Sequence, residues 1–237
     1  MSCVEEIKQE LKKYVNAEKA AFLPKFFQAF EGGYGEGDRF LGVVVPDQRK
    51  VARKYYKAAS IKDIEELLNE PYHEYRLTAI FMMVYKFEKA KDESEREEIV
   101  NTYLKNIEAV NNWDLVDSSA PQILGLFLWD KSKDILYEMA QTPDLWKQRI
   151  AIMSTFYFIK QGEYDDALKI SEILLNHKHD LIHKAVGWML REIGNRDFEV
   201  EYNFLKENYK AMPRTMLRYA IEKFEPDLRQ KFLKGLI

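Results

Sequence analysis

Apolar residues recur along most of the chain at the three- and four-residue spacing of an α-helix. The clearest runs are Ile64-Leu67-Leu68 and Ile170-Ile173-Leu174. This spacing places the apolar side chains on one face of a helix. The period-two alternation of a half-buried strand is missing, and the nearest strand candidate, Val43-Val44-Val45, is too short to predict one. The pattern therefore predicts an all-α protein.

Helix-breaking residues indicate where the predicted helices begin. A proline precedes a charged, periodic segment at five places, as expected for proline in a first turn: Pro46, Pro71, Pro143, Pro213 and Pro226. Glycine is concentrated instead, because half of the ten glycines lie between Gly32 and Gly42. This glycine cluster has no preceding strand and no Lys-Ser/Thr ending, so a helix connection is favoured over a phosphate-binding loop.

A charged residue followed by an apolar helix recurs at intervals of 34 to 38 residues, at Arg76, Asp114, Arg149, Lys184 and Arg218. A period near 35 residues made of two helices is typical of HEAT-like repeats, which stack into an α-solenoid. We predict a single domain over residues 1–237, with N-terminal helices over 1–30, a glycine-rich connection over 31–45 and repeats over 46–237. Equivalent helices are expected to line one concave face.

The net charge by itself argues against binding of nucleic acid, whereas the placement of the basic residues is compatible with it. The formal charge of −3 and the pI near 5.9 differ from the basic balance of most nucleic-acid binders. A basic stripe on the concave face could still attract a phosphate backbone. Its members are expected to be Arg76, Arg149, Lys184, Arg191 and Arg218. The alternative is that these bases are salt-bridged residues on solvated faces.

The remaining composition indicates a soluble intracellular protein. The single cysteine, Cys3, excludes an intramolecular disulfide and fits a reducing compartment. The N-terminal segment has the pattern of an amphipathic charged helix rather than a signal peptide. No apolar run reaches the length of a membrane span. We expect a cytoplasmic monomer, associated with the nucleoid when it acts on DNA.

The segment Asn111-Asn112-Trp113-Asp114-Leu115-Val116-Asp117 carries the most informative chemistry. On a helix, Trp113 and Asp117 project from one side, a turn apart. An aromatic π-face next to a carboxylate suits a cationic guest. The alternatives are a core tryptophan and a helix-capping aspartate, and Asp114 is interpreted as such a structural residue.

Three segments at repeat spacing carry a resemblance to a known family: Trp113-Asp-Leu-Val-Asp117, Leu145-Trp-Lys-Gln-Arg149 and Lys184-Ala-Val-Gly-Trp-Met-Leu-Arg-Glu192. The segments from Tyr34 to Val43 and from Val45 to Lys50 add to it. Together they resemble the AlkD-like DNA glycosylases of the DNA alkylation-repair family, which are HEAT-like solenoids. The resemblance extends from about residue 20 to beyond residue 220.

This resemblance implies a function and a set of site residues. Asp117 matches the catalytic aspartate of the family, Trp113 and Trp188 match its active-site tryptophans, and Arg149 and Arg191 match its DNA-contacting arginines. The family excises cationic N3- or N7-alkylated purines, such as 3-methyladenine and 7-methylguanine, from duplex DNA in base excision repair. The resemblance implies no metal and no organic cofactor, and no pocket for the excised base.

Two other functions remain open at this point. The first is a catalytically silent HEAT-like scaffold that binds DNA with the same basic face. The second is a protein-binding solenoid whose concave face takes an acidic partner. His179 and His183 fall at metal-ligand spacing close to His177, but the neighbouring Lys178 and Lys184 make an exposed turn the favoured interpretation.

Overall fold

A computed structural model of the protein describes residues 2–237. Over these residues the chain forms fourteen α-helices and no β-strand, with one isolated bridge between Arg39 and Tyr72. The prediction of an all-α protein is confirmed, and Val43 and Val44 lie in a connection just ahead of a helix rather than in a strand. In the described part of the chain, no helix combines the length and apolarity that crossing a membrane requires.

The α-helices, in chain order, are α1 Cys3–Lys12, α2 Ala17–Phe26, α3 Val45–Tyr55, α4 Ile61–Leu68, α5 His73–Lys89, α6 Glu93–Lys105, α7 Trp113–Asp117, α8 Asp134–Gln141, α9 Leu145–Lys160, α10 Asp165–Ile173, α11 Asp180–Gly194, α12 Phe198–Asn208, α13 Arg214–Ala220 and α14 Pro226–Lys234. Short 3₁₀ turns cover Ile107–Ala109 and Ile221–Lys223, and one π-helical turn covers Pro121–Gly125.

The prolines do mark helix starts, as predicted. Pro46 and Pro226 occupy the first turns of α3 and α14, and Pro213 is the residue before α13. Pro71 and Pro143 each stand two residues ahead of a helix, α5 and α9 respectively. Because proline has no N–H to donate, these positions lose no intrahelical hydrogen bond.

The repeat positions fall on alternate helices. Arg76, Asp114, Arg149, Lys184 and Arg218 lie in α5, α7, α9, α11 and α13 respectively, each within the first five residues. The predicted period of two helices per repeat is thereby confirmed.

The helices group into two compact units, one ending at Ser119 and the other covering Ala120–Ile237. In the first unit α5 is central and packs against α3, α4, α6 and α7. In the second unit α9 packs against α8, α10 and α11, and α11 also packs against α12 and α13. The single domain over residues 1–237, with N-terminal helices, a glycine-rich connection and repeats, stays a prediction.

The central helix α5 is buried on almost every side, so its polar side chains must find partners inside the protein. One of them, Glu74, is 1% exposed and organises the glycine-rich connection. Its carboxylate accepts the backbone N–H groups of Leu41, Gly42 and Val43 at 2.7 to 3.3 Å. Gly42 has φ of +79°, and a Cβ there would lie 2.0 Å from the Asn16 carbonyl oxygen. The close approach of these two backbone segments therefore requires glycine.

Candidate functional site

Helix α7 carries the two residues singled out as an aromatic–carboxylate pair. Trp113 is its first residue and Asp117 its last, and both side chains are partly buried. Leu115 and Val116 between them are fully buried and anchor the helix. Asn112 is the N-cap, in extended conformation, and its side-chain oxygen accepts the Trp113 N–H at 2.9 Å. The sequence prediction that Trp113 and Asp117 share a short helix, one turn apart, is confirmed.

Trp113 is held by aromatic packing from the N-terminal region. Its ring stacks on Phe27 with centroids 5.5 Å apart, and Phe26 meets it at 6.1 Å. Phe27 is buried, whereas Phe26 is half exposed. The indole of Trp113 therefore packs against the buried ring of Phe27 and also contacts the solvent-accessible ring of Phe26.

A buried histidine connects α7 to the glycine-rich connection. The Nδ1 atom of His73 lies 3.1 Å from Asp38 Oδ2, and its Nε2 atom lies 2.8 Å from Asp114 Oδ2. Since a neutral imidazole has only one N–H, serving both carboxylates requires the doubly protonated cation. Burial by itself lowers the pKa of His73, but the charges and hydrogen bonds of Asp114 and Asp38 outweigh it and raise the pKa to about 9.

Arg76 completes this buried cluster. Its guanidinium forms an ion pair with Asp38 and donates to Asn111 Oδ1 at 2.8 Å. Asn112 Nδ2 also donates to Asp38, at 3.2 Å. Burial opposes ionisation of Asp38, yet the hydrogen bond from His73 and the charge of Arg76 lower its pKa below the usual value. We name Asp38, His73, Arg76 and Asp114 the His73 cluster.

The cluster changes the interpretation of two residues. Arg76 is 6% exposed and holds Asp38, so the structure gives it an internal partner, and its contact with DNA stays a prediction. The capping role expected for Asp114 belongs to Asn112, because Asn112 is the extended residue just before the helix. Asp114 instead binds His73, although its Oδ1 also accepts the Leu115 N–H at 2.9 Å.

The sequence offered no local signal for Asp38 or His73 as partners. Asp38 stands within the glycine-rich segment, 35 residues from His73, and His73 stands 41 residues from Asp114. Each is an ordinary polar residue in its own neighbourhood, so only the folded arrangement reveals the cluster.

The predicted DNA-binding residues of the second unit differ in exposure. Arg149 is 4% exposed, and its Nη1 donates to the Leu181 carbonyl at 2.5 Å. Lys184 forms an ion pair with Asp180 at 2.7 Å, one turn away on α11. Arg191 is partly buried and pairs with Glu222, whereas Arg218 is exposed. Their role in DNA binding stays a prediction, and Arg218 is the most accessible of them.

Trp188, the second predicted tryptophan, is also partly buried. Its indole N–H donates to Glu192 at 3.3 Å, and its ring lies 5.9 Å from that of Phe156. Trp188 and Lys184 lie on α11 at the predicted four-residue spacing. Trp188 thus has one polar and one aromatic contact within its own unit.

The histidines around the start of α11 act in local hydrogen bonds. His179 is the N-cap, and its Nδ1 accepts the Leu181 N–H at 3.1 Å, while His177 Nδ1 accepts the His179 N–H at 3.0 Å. His183 Nε2 lies 2.6 Å from the His177 carbonyl. Burial lowers the pKa of His177 and of His179, which favours the neutral form that can accept these bonds. Among residues 2–237, no group of three or more potential ligands has the arrangement of a metal site.

The fold is that of an all-helical protein built from successive helix pairs. The buried His73 cluster contacts α7, the helix that carries Trp113 and Asp117. The family model of the DNA alkylation repair enzymes matches residues 7–224. The chain therefore belongs to the DNA alkylation repair enzyme family, and this membership supports a role in DNA alkylation repair.

The fold of this chain is also found in a solved structure. It is similar to a protein described as a predicted DNA alkylation repair enzyme from Enterococcus faecalis, with a TM-score of 0.72 and 16% sequence identity. The similarity covers 90% of this chain and 97% of the other chain. At this identity the likeness shows a shared fold. No curated protein matches the sequence.

Proposed function

We propose that the protein is a DNA glycosylase that excises cationic N3- and N7-alkylated purines, such as 3-methyladenine and 7-methylguanine, from duplex DNA. The observation that carries the proposal is the pairing of Trp113 and Asp117 on one short helix in a chain of the alkylation repair family. The reaction would begin base excision repair.

The reaction suits a site that offers a carboxylate and aromatic faces. The bond between C1′ of the deoxyribose and the purine nitrogen breaks, and its electron pair leaves with the base. Because the alkylated base is already cationic, it departs neutral and needs no general acid. Positive charge develops on the sugar, water adds its oxygen to C1′, and one proton is released.

Asp117 is the proposed catalytic residue. A fixed carboxylate beside the developing oxocarbenium charge stabilises it and can orient the attacking water. Trp113 and Trp188 are proposed to contact the lesion nucleotide through their ring faces, each contributing on the order of 1–2 kcal/mol by cation–π attraction. No metal or organic cofactor enters this scheme.

The proposed DNA contacts are Arg76, Arg149, Lys184, Arg191 and Arg218. Arg218 needs no rearrangement to meet a phosphate, since its side chain is exposed. Lys184 and Arg191 would exchange Asp180 and Glu222 for phosphate oxygens. For Arg76 and Arg149, whose guanidinium groups are bound internally, contact would require a shift of the side chain.

Release of methylated purines from alkylated duplex DNA tests the activity. Wild-type protein is expected to release 3-methyladenine or 7-methylguanine, and Asp117→Asn is expected to lose at least about 100-fold in rate if the carboxylate supplies the electrostatic stabilisation. Glu108→Gln, which changes an exposed carboxylate in the turn before α7, is the matched control and should retain the wild-type rate. Thermal unfolding of both variants checks that the fold is kept.

The outcomes separate the activity from the residue assignment. Wild-type protein that binds alkylated DNA but releases no base would overturn the enzyme and leave a DNA-binding scaffold. Full activity in Asp117→Asn would overturn the catalytic role of Asp117 alone.

A salt titration tests the proposed phosphate contacts. Arg218→Ala is expected to weaken duplex binding and to reduce the slope of log affinity against log salt by about one unit per lost contact. Arg214→Ala removes another exposed arginine on α13, outside the repeat frame, and is the matched control. Equal slopes for the two variants would refute the contact at Arg218.

A further inference from the structure

The first unit contains an open cavity of about 700 Å³ at the C-terminal end of α5. Its lining comes from the end of α3, the start of α4, the end of α5 and the first turns of α6. Helix α5 measures about 24 Å from His73 to Lys89, so the cavity lies at the opposite end of this helix from His73. The volume lies within the range of small-molecule binding sites. The proposed cleavage chemistry does not involve this cavity.

Lysines dominate the charged lining of the cavity. They come from three separate segments: Lys57 after α3, Lys86 and Lys89 in the last turn of α5, and Lys91 ahead of α6. Lys86 is half-buried and the other three are exposed. None of the four forms an ion pair with a carboxylate among residues 2–237. The dipole of α5 favours cations in its own last turn, but Lys57 and Lys91 lie outside that helix.

Two carboxylates share the lining, and the lysines outnumber them. Glu95 and Glu98 line the cavity, and one oxygen of Glu95 accepts the Lys91 backbone N–H at 2.8 Å. Four ammonium groups minus two carboxylates leave a net charge of +2. Because like charges repel, a ligand that carries two or more negative charges is attracted to this lining. Phosphate groups are favoured among such anions, because a lysine ammonium binds phosphate as a point charge.

The lining also has an apolar part. Ile61 and Ile99 contribute to it together with Tyr56, which is partly exposed. The Tyr56 ring meets Tyr85 edge-on, with centroids 5.7 Å apart. The Nζ atom of Lys57 lies 5.9 Å from the centre of the Tyr56 ring. An aromatic surface and a cation therefore stand side by side, within the span of one ligand that carries both a planar ring and phosphate groups.

We propose that this cavity binds a free nucleotide, with its phosphate groups on the lysines and its planar base beside Tyr56. The excess of positive charge attracts the phosphates, and the apolar part of the lining suits the base. A nucleoside diphosphate carries both features in one molecule of the size that the cavity admits. Nucleotide binding here does not depend on the proposed function, because cleavage at Asp117 involves neither the cavity nor its ligand.

Isothermal titration calorimetry of the full-length protein with ADP tests the cavity, in a low-salt buffer without divalent cations. We expect saturable binding of ADP at a single site. Pyrophosphate offers linked phosphates without a base and is expected to bind about five- to tenfold more weakly, because it lacks the contact with the tyrosine ring. Adenosine offers the base without a phosphate and is expected to show no saturable binding at the same concentrations.

Three variants locate the binding site. Lys86→Gln combined with Lys89→Gln removes two ammonium groups from the cavity and is expected to weaken ADP binding about tenfold. Lys25→Gln changes an exposed lysine of α2, outside the cavity, and should leave binding unchanged. Tyr56→Leu is expected to weaken binding of ADP and to leave that of pyrophosphate unchanged, a split that a general loss of structure would not produce. Thermal unfolding of each variant checks that the fold is kept.

Several outcomes would overturn the nucleotide site. Absence of saturable ADP binding, or equal effects of the double lysine variant and Lys25→Gln, would show that the cavity is not the site. Pyrophosphate or adenosine that binds as tightly as ADP would exclude recognition of a whole nucleotide. Undamaged duplex DNA that displaces ADP, and that loses affinity equally in the double lysine variant, would assign these lysines to a nucleic-acid backbone instead. Release of methylated purines is measured separately and decides only the proposed function.

Discussion

Raising the pH from 6.5 to 8.5 is expected to lower the free energy of unfolding by about 2 kcal/mol more in the wild type than in His73→Gln. The cause is the buried position of His73 between Asp38 and Asp114, which raises the pKa of the imidazole to about 9. The glutamine variant can still donate a hydrogen bond but carries no titrating proton.

The sign follows from the direction of the shift. A histidine with a raised pKa in the folded state holds its proton more tightly there than in the unfolded chain. Its contribution to stability is fully present below pH 6.5, the ordinary value, and is lost as the pH rises through about 9. Each unit of pKa shift corresponds to about 1.4 kcal/mol. The window from pH 6.5 to pH 8.5 captures about 2 kcal/mol, because the unfolded histidine is still half protonated at pH 6.5 and the folded one already loses part of its proton at pH 8.5.

Urea denaturation of both proteins at pH 6.5, 7.5 and 8.5 measures the effect. The test is the difference in unfolding free energy between the two proteins at each pH. The pH dependence of either protein alone is less informative, because Glu201 adds its own pH dependence to both. Burial raises the pKa of Glu201 to about 9 against the opposing charge of Arg191. The lowered pKa values of His177 and His179 act mainly below pH 6.5, and their effect cancels in the difference because both proteins carry these residues.

Parallel pH profiles for the wild type and His73→Gln would refute this reasoning. They would mean that His73 is neutral in the folded protein near pH 7, and that one of the two carboxylates lacks its N–H donor. A pKa higher than about 9 would keep the direction and extend the loss of stability to still higher pH, because the loss begins at the unfolded value of 6.5 in either case.

Two further predictions concern glycine geometry and a buried acid. Gly42→Ala is expected to destabilise the protein by at least about 2 kcal/mol, because the residue has positive φ and its new Cβ would meet the Asn16 carbonyl. Gly162→Ala, which has a similar φ of +84° but no atom within 4 Å of the Cβ, should cost only about 1 kcal/mol, and equal losses in urea denaturation would refute the steric argument. Glu201→Gln is expected to stabilise the protein increasingly from pH 5 to pH 8, because burial raises the pKa of Glu201 and the wild type must keep a proton that the unfolded chain releases. Denaturation at both pH values checks this prediction, and a pH-independent difference from the wild type would show that Glu201 is ionised in the folded state.

Local sequence rules were sufficient for the helical elements. The three- and four-residue apolar spacing correctly predicted the helices, and the prolines correctly predicted where several of them begin. The period near 35 residues correctly predicted that the repeat positions fall on alternate helices. They also placed Trp113 and Asp117 on one helix. These features depend on contacts within a few turns of helix, so a local pattern carries the information.

Such local rules could not predict which side chains the predicted site residues contact in the folded protein. The basic repeat positions share one sequence frame, yet Arg76 and Arg149 are buried and Arg218 is exposed. The difference arises because Arg76 meets Asp38 from the glycine-rich connection, and Arg149 reaches the Leu181 carbonyl at the start of α11. Exposure of an arginine depends on what other elements bring to it, and periodicity does not contain that information.

The amino-acid pattern was enough to predict that the chain is all-α, built from helix pairs, and that α7 carries an aromatic ring and a carboxylate one turn apart. The folded chain was needed to reveal that Asp114 binds a protonated His73, that Asp38 joins the same cluster, and that Phe22, Phe26 and Trp113 line a cavity. The two sets of features differ in the sequence separation of the residues that interact. Helix periodicity and capping act between near neighbours, whereas the ion pairs and hydrogen bonds around His73 and Asp38 join residues separated by 35 to 74 positions.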